Sequence, residues 1–181
     1  MGTKILLSDL SILPFDPEIH GVSTFDCGDA DLNEFLQKDA SVYQSEHLSF
    51  TRVVFHEDEL VAYITLLTDS IVLKTPEKKK LVDFHSSVMQ WPALKIGRLA
   101  VATARQKQCG IGKALLQYAV GLAIRIGSES GVGCRFVTVD AYPASIGFYE
   151  RHGFVFNKNY AEKEQTHPSM RYDILKSDPI E

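Results

Sequence analysis

The sequence predicts one compact α/β domain over residues 1–181, and three observations predict it. At this length a chain with 45% hydrophobic residues can bury a full core without metal or disulfide staples. Residues 49–67 carry a hairpin pattern. From Pro92 to Asp140 the texture runs strand, polar loop, helix, strand.

The first residues, MGTKILLSDLSILPFD, contain no basic segment leading into a long apolar run, and nowhere does the chain approach the roughly 20 apolar residues that span a bilayer. The expectation is a cytoplasmic protein with no membrane partner. Cys27, Cys109 and Cys134 are odd in number, far apart and without histidines at ligand spacing, so neither a disulfide framework nor a metal site is expected. A formal charge of −4 argues against a protein whose main task is coating nucleic acid, although a local basic patch fits inside an acidic total.

The first predicted element is a helix from Asp31 through ADLNEFLQKDASVYQ. Asp31 and Glu34 read as a capping pair, and Leu32, Phe35, Leu36 and Ala40 share a face. Strands at 49–56 and 60–67 follow, rich in β-branched and aromatic residues and joined by the acidic turn Glu57-Asp58-Glu59, with 71–73 as an extension. The segment TPEKKKLVDFHSSVMQWP reads as polar and irregular, with Lys78, Lys79 and Lys80 as a solvated face or a phosphate-facing patch. PALKIGRLAVA is then a strand, with Trp91 packing at its start. KALLQYAVGLAIRIGSES is a helix with Ile111, Leu115, Tyr118, Leu122 and Ile126 near one face. Residues 134–140 form a second strand, parallel to the first because a strand–helix–strand crossover joins them. Pro143 opens a short helix, and GFVFN and MRYDIL are further strands.

The loop between the 92–102 strand and the long helix is where a ligand is expected. Gln108, Cys109, Gly110, Ile111 and Gly112 put small residues at a helix start, where unpaired backbone N–H groups and the positive end of the macrodipole favour a phosphate. Arg105, Lys107 and Lys113 add positive charge suited to a diphosphate. An ordinary surface turn explains the same residues as well. Two familiar nucleotide motifs do not fit, since Lys113 is followed by Ala114 rather than Ser or Thr, and Leu115 takes the third glycine of the dinucleotide pattern.

RLAVATARQKQCGIGKALLQYA resembles the coenzyme-binding motif of the GNAT acetyltransferase superfamily, Q/R-x-x-G-x-G/A. VDAYPASIGFYERHGF resembles the strand and helix that follow it there. The similarity covers about 49 to 175, with Lys107 departing from the motif at its Gln/Arg position. It implies a central, splayed mixed sheet flanked by helices and an acetyl-CoA-dependent transfer to an amine, without a metal. It implies further that the pantetheine arm pairs with the backbone of Leu99, Ala100 and Val101. The pyrophosphate would lie on Gln108 to Lys113, with Lys107 and Phe148 also at the coenzyme. In such a site a backbone N–H near Val101 stabilises the oxyanion and Tyr149 acts as general acid for the departing thiolate; read without the family, Tyr149 is a core aromatic between Phe148 and Phe154.

Many superfamily members carry a carboxylate on the strand before the glycine loop, but here it reads Lys95-Ile96-Gly97-Arg98-Leu99. A lysine amine, with pKa about 10.4, needs an efficient proton exit, whereas an α-amine near about 7.7–8.0 is partly neutral already. Asp140, His85 and Glu150 are candidate relays, and none is assigned as base.

FDCGDADLNEFLQKDA and GRLAV also resemble the acetyltransferase toxins of bacterial toxin–antitoxin pairs, which acetylate the α-amine of aminoacyl-tRNA. That resemblance brings charged tRNA and a small antitoxin into view as partners, and a homodimer is in keeping with the family. Against it stand the acidic charge and Ala102 where those toxins carry aspartate. A small or protein amine therefore ranks first as acceptor, the tRNA-directed toxin second, and a non-catalytic coenzyme sensor or interaction module third. Arg52, Lys95, Arg98 and the lysines at 78–80 would form the tRNA path if there is one, but ordinary surface charge explains them equally well.

Overall fold

The computed structural model describes residues 5–73, 75–81, 89–107, 110–157 and 166–180. Its strands are β1 (Leu10–Pro14), β2 (Phe50–His56), β3 (Glu59–Val72), β4 (Gln90–Val101), β5 (Phe136–Asp140), β6 (Val155–Phe156) and β7 (Ser169–Asp173). They form a mixed sheet in the order β1-β2-β3-β4-β5-β7-β6. Helices are α1 (Ala30–Glu34), α2 (Ala40–Ser45), α3 (Thr75–Leu81), α4 (Ile111–Ser128) and α5 (Ile146–Arg151). The chain divides into two compact units, Met1–Leu67 with Ile96–Tyr118, and Thr68–Lys95 with Ala119–Glu181. The division falls inside β3, β4 and α4.

In the first unit the expected hairpin is present, with a turn one residue tighter than predicted: His56 pairs with Glu59, leaving only Glu57 and Asp58 between strands. The Thr51 and Thr65 hydroxyls, opposite one another in the register, bond at 2.9 Å in the buried sheet, so neither polar group is stranded. β1, which the sequence reading did not anticipate, pairs antiparallel with β2 from Leu10↔His56 to Pro14↔Arg52. It is a short edge strand closed by a proline, a weak pattern by itself.

The helix predicted over 31–44 forms with two corrections. Its N-cap is Asp29, not Asp31: Asp29 has extended backbone and its carboxylate accepts from Leu32 N at 3.0 Å, while Glu34 turns to Lys38 at 2.6 Å instead of reaching back. A π turn over Phe35–Asp39 separates α1 from α2. Phe35, Leu36 and Ala40 all reach the core with Phe15, Phe25, Val53, Tyr63 and Ala100. Tyr63, fully buried, donates its hydroxyl to Leu32 O at 2.7 Å and so ties this helical segment to β3.

The second unit packs Trp91, Ala93, Ile71, Leu73 and Phe136 together, with the Trp91 and Phe136 rings edge to face. β5 and β7 are antiparallel, with Phe136 opposite Asp173. Next to that pair, Arg135 grips both Asp173 oxygens at 2.9 and 2.8 Å. Part of the segment read as irregular is helix α3, held through Glu77 to Arg171 at 2.6 Å, a tertiary contact that local sequence does not reveal. On α3, Lys79 is exposed and Lys78 half-buried. The deepest stripe of α4 is Ile111, Ala114, Leu115, Leu116, Ala119 and Ala123, so the predicted face is turned toward small alanines, with Tyr118, Leu122 and Ile126 at its half-buried margin.

Replacing Asp29 with alanine removes the observed cap and is expected to cost about 1 kcal/mol in urea unfolding, whereas Asp31→Ala should cost clearly less. Equal losses would contradict the assignment of the cap.

Candidate active site

The first unit holds the stretch expected to bind the coenzyme. β4 ends at Val101, where Ala102 N still donates to Val61 O at 2.8 Å before the chain turns through Thr103–Arg105. The Gln106 side-chain amide donates to Val101 O at 2.9 Å and to Cys27 O at 2.7 Å. Thr103 donates its N–H to Asp26 O at 2.9 Å and its hydroxyl to the same oxygen at 3.1 Å. Asp26 in turn accepts from Gly28 N and from the Asn33 amide, both at 2.8 Å, and these donors hold its carboxyl below the usual carboxylate range. Cys27 N donates to Asn33 Oδ1 at 2.9 Å. The segment Asp26-Cys27-Gly28-Asp29 is thus a brace for the turn after β4. Nothing in the sequence singled out Gln106, because a glutamine in a polar loop reads as solvent-facing.

Of the predicted site residues, Leu99 and Val101 are half-buried and Ala100 is buried in the helix-facing core. Val101 O, within the stretch expected to pair with the pantetheine arm, accepts from the Gln106 side-chain amide. Lys107, which stands where the motif has Gln or Arg, is exposed and held at φ 63, and Gly110 follows at φ 73. Gln108 and Cys109 lie outside the described residues. Ala114 N donates to Gly110 O at 3.0 Å, so Ile111, Gly112 and Lys113 are the first turn of α4 and their N–H groups have no intrahelical acceptor. Ile111 is buried as the anchor of that turn, while Gly112 and Lys113 are half-buried. One correction concerns charge. Arg105 does not stand ready for a diphosphate, since its guanidinium bonds Glu59 next to the β2–β3 turn. A cleft of about 510 Å³ beside the turn is walled by Asp26, Asp58, Glu59 and Thr103, and its carboxylates make it unsuited to a diphosphate.

The second unit holds Phe148 and Tyr149 on α5, behind a turn that Pro143 opens. Tyr149 is 6% exposed, between Phe148 at 5.2 Å and Phe154 at 5.3 Å between ring centroids. Its carbonyl accepts from His152 N and Phe154 N, while its hydroxyl has no hydrogen-bond partner among the described residues. Burial pushes the phenol well above the ordinary tyrosine value. The ring is therefore both the core aromatic of the plain reading and a retained proton.

The candidate relays fare differently. Asp140 is bound by Lys95 at 2.6 Å, in a pocket of about 160 Å³ shared with Asp69 and His167. Glu150 is exposed, and His85 lies outside the described residues. Among the described residues no group of His, Cys, Asp or Glu side chains has metal-holding geometry, and no helix is long and apolar enough to cross a membrane.

A strand, a braced turn, a glycine-bearing loop and a long helix on a mixed sheet define the frame of a coenzyme A-dependent acyltransferase. The chain belongs to the GNAT acetyltransferases: residues 49–156 match the Acetyltransferase (GNAT) domain family. It is an acetyl-CoA-dependent N-acetyltransferase. No curated protein matches it in sequence. Among solved structures it is similar to a bacterial toxin, with TM-score 0.76 and 21% identity over 92% of this chain and 91% of that one. AtaT complexed with acetyl-methionyl-tRNAfMet gives 0.74 and 21%, over 91% and 95%. A tyrosine-to-phenylalanine mutant of KacT gives 0.74 and 21%, over 92% and 96%.

Gly110→Ala forces a side chain into the left-handed region, at a cost of about 1–2 kcal/mol, and is expected to weaken acetyl-CoA binding in calorimetry. Gly121→Ala, inside α4 with nothing within 4 Å of the added carbon, should instead raise stability by roughly 0.5–1 kcal/mol and leave coenzyme binding alone. Unchanged binding in the Gly110 variant would remove the loop from the coenzyme site.

Proposed function

We propose that this acetyltransferase transfers acetyl from acetyl-CoA to the α-amine of an aminoacyl-tRNA, with Tyr149 as general acid. The observation that carries the reading is the acid–base inventory of β4. Between Lys95 and Val101 the strand has no carboxylate, and the candidate relay at the end of β5, Asp140, is engaged by Lys95. A site so made serves an amine that is already partly neutral, and an α-amine at about 7.7–8.0 meets that requirement where a lysine at about 10.4 does not. Likeness along more than nine-tenths of both chains to an AtaT structure holding acetyl-methionyl-tRNAfMet supports the same acceptor. In that reading a small antitoxin is the protein partner, since other similar structures pair AtaT with the antitoxin AtaR.

In the proposed reaction the neutral amine attacks the thioester carbonyl, the tetrahedral oxyanion rests on backbone N–H near Val101, and the C–S bond breaks. The thiolate takes the Tyr149 proton, the amine loses its own to water, and the tyrosinate regains a proton from solvent, so charge and protons balance over the turnover. The backbone of Leu99, Ala100 and Val101 orients the pantetheine arm. Gln108 to Lys113, with Lys107, hold the pyrophosphate. Phe148 lies against the coenzyme. A second reading, transfer to a small or protein amine, is favoured by the net charge of −4, which is unhelpful for approaching tRNA.

With labelled acetyl-CoA, label is expected on charged tRNA and to fall about 10²-fold or more in Tyr149→Phe; label confined to proteins or small amines would sink the tRNA acceptor. Because burial raises the Tyr149 pKa, the acid keeps its proton while rising pH frees the amine. The pH profile of kcat/KM should therefore climb to a plateau, without an alkaline fall below the ordinary tyrosine value of about 10. A fall beginning near pH 8 would point to a different acid.

A further inference from the structure

Four of the described arginines face carboxylates: Arg105 with Glu59, Arg125 with Glu129, Arg135 with Asp173 and Arg171 with Glu77. Arg98 does not. It is half-buried, its guanidinium carbon lies 3.6 Å from the centroid of the Phe35 ring and 5.8 Å from that of Tyr43, and no described residue accepts a hydrogen bond from it. The nearby helical carboxylate Glu34 goes to Lys38 instead.

Stacking uses the faces of a guanidinium and leaves five N–H donors pointing outward in its plane. The charge cannot be shed, so half-burial without an anion is a cost that the aromatic face repays only in part. The platform itself is rigid. Phe35 is 2% exposed and sits against Tyr43 at 5.4 Å and Tyr63 at 6.3 Å, and Tyr63 is pinned through its hydroxyl. Arg98 lies against this packed ring face, directly before Leu99 on β4. Of the other basic groups considered for a tRNA path, Lys95 is taken by Asp140, Lys78 is half-buried and Lys79 exposed on α3, and Arg52 lies over the exposed Phe50 ring, 4.9 Å from its centroid, on a less buried platform than Phe35 gives Arg98.

We propose that Arg98, stacked on Phe35, is an anion subsite for the acceptor, its in-plane donors taking a phosphodiester oxygen near the charged end of tRNA. The proposal rests on the aminoacyl-tRNA reading above. A planar fork suits a phosphate oxygen pair, and a stacked arginine also presents a flat surface to a neighbouring base. Arg98 would thus position the acceptor and take no part in proton transfer.

The test compares wild type, Arg98→Lys and Arg98→Ala on two acceptors with the same α-amine, an aminoacyl-tRNA and the corresponding aminoacyl amide, which has no phosphate. Acetyl-CoA affinity and melting temperature are followed in parallel. Arg98→Ala should raise KM for charged tRNA by roughly 10- to 100-fold, the scale of lost charge-assisted hydrogen bonds, and the loss on tRNA should exceed that on the amide at least tenfold. Arg98→Lys should recover only part, because an ammonium restores charge without the fork. Equal losses on both acceptors, or a matching loss of acetyl-CoA affinity, would make Arg98 a packing residue and overturn the subsite. Full tRNA activity in Arg98→Ala would overturn it too, while leaving the acceptor reading intact. Failure of wild type to acetylate charged tRNA would remove that reading and the subsite with it.

Discussion

Backbone carbonyls at the end of a strand must find donors, and here Val101 and Cys27 share one, the side-chain amide of Gln106. Thr103 adds two more bonds to the carbonyl of Asp26. The course of the turn after β4 follows from this arrangement. A chain leaving β4 has to turn away from the sheet and then begin a helix within a few residues, and loose carbonyls there would cost as much as lost hydrogen bonds. With the turn pinned, Lys107 and Gly110 accept left-handed backbone, and α4 starts with three N–H groups free of intrahelical acceptors. The brace explains why a stretch so far away in sequence, Asp26 to Asn33, bears on a loop after residue 101.

The distribution of titratable groups follows a similar logic of prior commitment. Glu59 is spent on Arg105, Asp140 on Lys95, Asp173 on Arg135 and Glu77 on Arg171. Such pairs hold elements in place. Tyr149 is in the opposite condition, since burial among Phe148 and Phe154 keeps its phenol neutral. An acid that is reliably protonated, with no uncommitted carboxylate on β4 to act as base, suits an acceptor amine that arrives partly neutral.

Much of this was legible in the residues. The hairpin, the 92–102 strand, the long helix and the short helix behind Pro143 all declared themselves by period and punctuation, and two linked motifs placed the chain among the acetyltransferases before any coordinates. What failed did so for identifiable reasons. β1 is short and ends in proline, so its pattern is too weak to stand out. α3 is polar and depends on Glu77 meeting Arg171, ninety-four positions away in the chain. The cap at Asp29 was misplaced by two residues because Asp29 and Asp31 are both competent caps, and only the extended backbone at Asp29 decides between them.

By itself, then, the sequence determined the family and most of the elements from residue 30 onward, because these depend on local periodicity and on residue types at short spacing. Only the tertiary structure decided which charges are committed and which remain. Arg105 and Arg98 are alike on paper, yet one meets Glu59 and the other lies on Phe35 without a carboxylate among the described residues. The physical reason is that hydrogen bonding and ion pairing are settled by which side chains folding brings within about 3 Å, and no spacing rule along the chain contains that distance.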